Sequence, residues 1–188
     1  MVDSPIMRRM KVLCVLGTRP EAIKMAPVVR ELQKYPDQVE ARVCVTAQHR
    51  DLLDQVLEIF TITPQYDLDI MQAQQSPVQV IRQVLERLEP VLIAEQPDWV
   101  LVQGDTTSVM ATALLAFHHH VRVGHVEAGL RTRDNRRPFP EEINRRLASV
   151  LTHLHFAPTA WARDNLLHEG APADRVHVTG NPIIDALQ

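Results

Sequence analysis

Short, almost wholly apolar runs recur along this chain, each followed by a stretch of helical period, and that alternation restricts its fold more than any other feature. Residues 11–16 (Lys-Val-Leu-Cys-Val-Leu) end at Gly17. A run without alternating polar positions suits a strand buried on both faces, as central parallel strands are. Pro20 and Glu21 then open a helix: proline is tolerated in a first turn, and a glutamate there suits the helix dipole. Ile23, Ala26, Val29 and Leu32 keep helical spacing, and Pro27 is expected to kink that helix or end it early.

The same alternation predicts strands at 39–45, 99–102, 122–126, 154–157 and 176–179, with a further run at 66–71 after the Pro64 loop. Helices are expected at 49–60, at 77–95 behind a Ser76 cap and bent near Pro90, at 106–119, at 141–151 and from the Thr159 cap to 168. Asn181-Pro182 opens a last one. About six strand–helix alternations predict a doubly wound, Rossmann-like parallel α/β sheet. Residues 1–10 read as a loose lead-in, 11–180 as the lobe, and 181–188 as the start of a connection to a further domain.

The 188 residues suffice for one such domain with a core. A net charge of −3 offers nucleic acid no basic surface, so anion binding must come from local arginines. Cys14 and Cys44 lie in apolar runs and read as buried free thiols, bridged only if their strands are neighbours. No run reaches the roughly 18–20 apolar residues of a membrane helix, and the first ten residues lack the apolar core of a secretory signal. A cytoplasmic location is expected.

In an open parallel sheet, ligands bind beyond the carboxyl ends of the strands. Four loops there carry chemistry. Gly17-Thr18-Arg19 leads into a helix start, where glycine admits a close backbone and free N–H groups suit a phosphate, with Arg19 and Lys24 as cations. Gln48-His49-Arg50 sets donor-rich side chains at the next strand end. Asp105, after a buried strand, is either an N-cap or a carboxylate at the crevice mouth. The fourth runs from Gly124 to Arg146 and holds Glu127, Arg131, Arg133, Glu141, Glu142 and Arg145. Glu141–Arg145 and Glu142–Arg146 are i,i+4 pairs, so a salt-bridged surface helix is one reading. Asp105, Glu127 and Glu141 converging with those arginines on a phosphate-bearing substrate is the other. Carboxylates held together push one proton affinity up, which separates an acid from a base. His125 is expected to face away from Glu127, and no metal site is expected.

Taken together, Gly17 to Pro27 (Gly-Thr-Arg-Pro-Glu-Ala-Ile-Lys-Met-Ala-Pro), Thr46 to Arg50, Gly104 to Thr107, His125 to Thr132 (His-Val-Glu-Ala-Gly-Leu-Arg-Thr), Pro138 to Glu142 with Asn144 and Arg145, and Val178 to Pro182 resemble the non-hydrolysing UDP-N-acetylglucosamine 2-epimerases. The resemblance implies the N-terminal half of a glycosyltransferase-B-like fold, whose second lobe is absent here. It implies interconversion of UDP-N-acetylglucosamine and UDP-N-acetylmannosamine by elimination of UDP to 2-acetamidoglucal and re-addition, with no cofactor. Catalytic positions map onto Asp105, Glu127 and Glu141, and substrate contacts onto Gly17, Arg19, Lys24 and Arg145. An activator site maps in part onto Gln48, His49 and Glu142, and a homodimer is expected, with the 77–95 helix a candidate interface. Asp51, the arginine-free 72–75 loop and Arg136-Arg137 depart from the family's usual residues. A UDP-sugar glycosyltransferase lobe and a non-catalytic binding or dimerising lobe are the competing readings.

Overall fold

The computed structural model describes residues 8–46, 50–70, 72 and 74–187. The strands are β1 (Met10–Leu16), β2 (Val39–Val45), β3 (Tyr66–Asp67), β4 (Trp99–Gln103), β5 (Arg122–Val126), β6 (Leu154–Ala157) and β7 (Val176–Val178). Between them lie α1 (Arg19–Gln33), α2 (Arg50–Ile59), α3 (Pro77–Glu95), α4 (Thr107–His118), α5 (Glu141–Leu151) and α6 (Ala160–His168), and α7 (Ile183–Ala186) follows β7. All pairings are parallel, in the order β3-β2-β1-β4-β5-β6-β7. The chain winds outward from β1 to β3, returns to β4 and winds the other way. That reversal opens a crevice between the carboxyl ends of β1 and β4.

Strand β1 shows why the apolar runs demand this architecture. Its Val12, Cys14 and Leu16 join a core with Met25, Val29 and Leu53 of α1 and α2. Its Leu13 and Val15 join a second core with Val84, Leu88 and Ala111 of α3 and α4. Successive strand residues point to opposite faces, so a wholly apolar strand has to be covered on both. The cysteines obey the same rule. Cys14 pairs with Val43 and Cys44 with Val15, one residue out of step, so the thiols face opposite cores. They are free, and burial raises each to about 12.

Neither internal proline ends its helix: α1 runs past Pro27 to Gln33, and α3 past Pro90 to Glu95. An interior proline costs about 3 kcal/mol. Fully burying Met25 and Val29, both 0 % exposed, contributes roughly 1.5–3 kcal/mol each, so packing wins. Among the described residues no helix is long and apolar enough to cross a membrane.

Candidate active site

The turn after β1 is closed by a side chain that the sequence presents only as a first-turn acid. Thr18 caps α1, and Glu21 folds back to complete a capping box. Its Oε2 accepts the N–H groups of Gly17 and Thr18. The N–H groups expected to be free for a phosphate at these two positions are therefore occupied by a carboxylate. A Cβ on Gly17 would stand 2.9 Å from Thr46 Oγ1 and 3.0 Å from Glu21 Oε2, so glycine is what lets this turn close. Glu21 is 3 % exposed and its Oε1 makes no well-formed hydrogen bond. Burial raises its carboxyl to about 7, against the pull of Gly17, the nearby Thr106 hydroxyl and Thr18. Thr18-x-x-Glu21 has the spacing of a capping box, a signal that went unread in the sequence; the burial of Glu21 has no local signal.

Glu127 sits one residue beyond β5 with φ of +63°, a left-handed conformation unusual for a branched-free but bulky side chain. Residues two apart on a regular strand share a face. A strand running regularly to Glu127 would thus set His125 and Glu127 on one face, against the expectation; they part company only because β5 stops at Val126 and Glu127 turns. His125 Nε2 donates to Gly104 O at 2.6 Å, while Glu127 receives Lys24 Nζ at 2.8 and 2.7 Å. Gln103 Nε2 and Asn181 Nδ2 also donate to the Glu127 carboxylate, the latter at 2.7 Å. Gln103 ends β4 and Asn181 follows β7; neither was singled out as a site residue from the sequence. A cavity of about 380 Å³ opens here, lined among others by Thr18, Lys24, Gln103, Asp105 and Glu127.

Asp105 does not cap α4. Thr106 does, accepting from Val109 N–H, and this leaves the Asp105 carboxylate for Arg145. The pair is partly buried, with Asp105 30 % and Arg145 11 % exposed. Burial raises the Asp105 carboxyl; Arg145 opposes it, and Glu141 and Glu127 add to the rise. Both other carboxylates are thus close enough for their charge to be felt at Asp105. Glu141 does not line the cavity at Glu127 but a neighbouring one, with Thr106, Thr107 and Asn144. Its Oε2 is buried without a hydrogen bond. Asn144 in turn donates to Asp105 O, tying α5 to the same loop.

The i,i+4 surface pairs do not form as ladders along α5. Arg145 meets Asp105 and, at 3.4 Å, Glu142, whereas Arg146 donates to Asn135. Glu142 is 0 % exposed, and its oxygens accept the backbone N–H groups of Thr132 and Arg133. Its visible role is to hold that loop. Arg131 does not join the carboxylates: it is 7 % exposed, forms a two-pronged pair with Glu169 at 2.8 and 2.7 Å, and donates to Ser149. Arg19 is exposed at the start of α1. Gln48 and His49 lie outside the described residues.

His125, with burial lowering it to about 4, is a neutral donor that fixes the loop carrying Asp105. Among the described residues no group of His, Cys, Asp and Glu is placed to hold a metal ion.

The fold is a Rossmann-like domain whose switch-point crevice, where ligands of such sheets bind, carries two carboxylates each paired with a cation, Asp105 with Arg145 and Glu127 with Lys24. A family model described as UDP-N-acetylglucosamine 2-epimerase matches residues 30–188, and the chain belongs to that family. It is 58 % identical to the UDP-N-acetylglucosamine 2-epimerase of Salmonella typhimurium over 95 % of this chain and 47 % of that protein. With the Bacillus subtilis enzyme it shares 54 % over 96 % of the chain and 47 % of the relative. The chain spans about half the length of the curated relatives it matches. Among solved structures, the Neisseria meningitidis enzyme bound to UDP-GlcNAc superposes with a TM-score of 0.91 at 55 % identity, over 95 % of this chain and 48 % of that one. The Methanocaldococcus jannaschii enzyme in complex with UDP-GlcNAc and UDP gives 0.88 at 40 % identity, over 94 % and 48 %.

Proposed function

We propose that this chain is the lobe that carries acid–base groups for interconverting UDP-N-acetylglucosamine and UDP-N-acetylmannosamine. The observation that carries the reading is the crevice itself, where Asp105 is raised by burial and by Glu141 and Glu127, while Arg145 and Lys24 each hold a carboxylate. The reaction removes the C2 proton, breaks the C1–O bond to release UDP, and leaves a 2-acetamidoglucal. UDP then re-adds at C1 as a proton is delivered to the opposite face of C2. Such a sequence needs one group that gives a proton and another that takes one, close together but unequal. Asp105, Glu127 and Glu141 are the candidates. Arg19, Lys24 and Arg145, with the close backbone at Gly17, are the proposed contacts to the diphosphate and sugar. Gln48, His49 and Glu142 remain the proposed part of an activator site; Glu142 would act there through the 132–133 backbone it holds.

Residues 11–180 are proposed as the lobe and 181–188 as the start of the connection to a second one, in a cytoplasmic enzyme. A homodimer is proposed through the outer faces of α3, α4 and α5, which pack side by side and expose Ile93, Phe117, Leu147 and Val150. Val150, 84 % exposed, is the sensitive position: Val150→Glu should yield monomers in sedimentation where the unmodified chain sediments as dimers. Equal sedimentation of both would remove this interface.

The catalytic reading is tested by joining the chain to the second half of the Salmonella typhimurium relative and following UDP-N-acetylglucosamine by proton NMR. UDP-N-acetylmannosamine should accumulate to equilibrium. A chimera that binds UDP-N-acetylglucosamine in calorimetry and forms no epimer would refute the reading.

A further inference from the structure

The connection leaving β7 reaches into the crevice through one side chain. Asn181 Nδ2 donates to Glu127 Oε1 at 2.7 Å, and its Oδ1 accepts the Ile183 N–H at 3.2 Å. Its backbone carbonyl accepts from Ile184 N at 3.1 Å. The same residue therefore starts α7 and holds a site carboxylate that lies 54 positions earlier in the chain. Helix α7 packs on α1, and α1 supplies Lys24, the cation on the same carboxylate. Gly180, with φ of +79° and nothing within 4 Å of a would-be Cβ, places the turn just before Asn181 in open space. Glu127 itself sits in a left-handed conformation that its neighbours must hold, so its orientation depends on these contacts.

We propose that Asn181 is a positioning residue for the reaction: its amide ties Glu127 to the segment leaving the sheet, so that displacement of α7 reorients this carboxylate. The proposal rests on the reading of Glu127 as a group that handles the C2 proton. One amide serves two purposes, and they can be separated. Asn181→Asp keeps an oxygen to accept Ile183 N–H but loses the donor to Glu127 and sets a second carboxylate against it. Asn181→Ala loses both.

In the chimera described above, both variants should lower kcat roughly 10- to 100-fold, the loss expected for one hydrogen bond to a charged group, with KM within about threefold. Wild-type kcat in Asn181→Asp alongside a slow Asn181→Ala would show that only the α7 cap matters, and would overturn the proposal. So would near-normal kcat in both, or losses matched by a fall in melting temperature in both. A readout independent of turnover uses the 188-residue chain: the side-chain amide signal of Asn181 in nitrogen–proton NMR. Glu127→Gln should move it clearly. If it stays in place, Asn181 does not hold Glu127, whether or not the enzyme reading stands; if it moves while the unmodified chimera is inactive, the contact stands and the enzyme reading alone fails.

Discussion

Replacing Glu21 with glutamine should flatten part of the protein's stability–pH curve. The side chain is 3 % exposed, and burial lifts its carboxyl from 4.5 to about 7. A carboxyl that binds its proton more tightly in the folded than in the unfolded state stabilises the fold while protonated. That contribution is complete below about pH 4.5 and is lost as the pH rises through about 7. The gap between those values, at 1.36 kcal/mol per pH unit, is roughly 3 kcal/mol. Glutamine keeps the size of the side chain and an oxygen for Gly17 N–H, but it does not ionise.

The assay is urea unfolding of both proteins at pH 5, 6, 7 and 8, with the wild-type free energy subtracted from that of Glu21→Gln at each pH. Subtraction cancels the groups the two share, apart from Asp105, whose charge is felt at Glu21 and adds to the rise. The difference should climb in favour of glutamine by about 2–3 kcal/mol from pH 5 to pH 8, with most of the rise below pH 7. A difference constant to about 0.5 kcal/mol would refute the reasoning. It would mean that the Gly17 and Thr18 N–H groups fully offset the cost of burying the charge.

Asp105→Asn and Glu127→Gln in the chimera should each lower kcat roughly 10²- to 10⁴-fold, the usual worth of a general acid or base; near-normal turnover in both would remove the acid–base assignment. Gly129→Ala should destabilise the chain by about 3 kcal/mol or more in urea unfolding, because Gly129 has φ of +89° and a Cβ there would stand 2.2 Å from Ala162 O. A loss below about 1 kcal/mol would mean that α6 shifts at little cost. His125 and His155, both lowered to about 4 by burial, should each withdraw up to roughly 3 kcal/mol as the pH falls from 6.5 to about 4, since the unfolded chain binds those protons first. His155→Phe should therefore shallow the acid limb of the unfolding curve, and an unchanged limb would count against it.

Much of the fold was legible because its signals are local. The double burial of β1 follows from six residues with one side-chain period, and the caps Ser76 and Thr159 stand where the sequence sets them. Two local rules fell short. Pro27 does not end α1 early, because the proline rule takes no account of Met25 and Val29 packing behind it. Asp105 competed as a cap because its neighbour Thr106 is an equally good one, and only the bond to Val109 N–H shows which residue took the role.

Part of the residue set lining the crevice was legible in the sequence; its partners were not. By itself the sequence determined that strand ends bearing Gly17, Asp105 and Glu127 would meet at one edge of a parallel sheet, because alternating apolar runs and helices admit few other arrangements. Tertiary structure alone decided that Lys24 pairs with Glu127 across 103 positions, that Arg145 takes Asp105, and that Arg131 turns away to Glu169. It also decided that Glu21 is sealed in and that Asn181 returns to the crevice. The physical reason is range. Propensity and capping act over a turn or two of chain, whereas the partner and the burial of a charged side chain depend on which strands lie adjacent and which helices cover them.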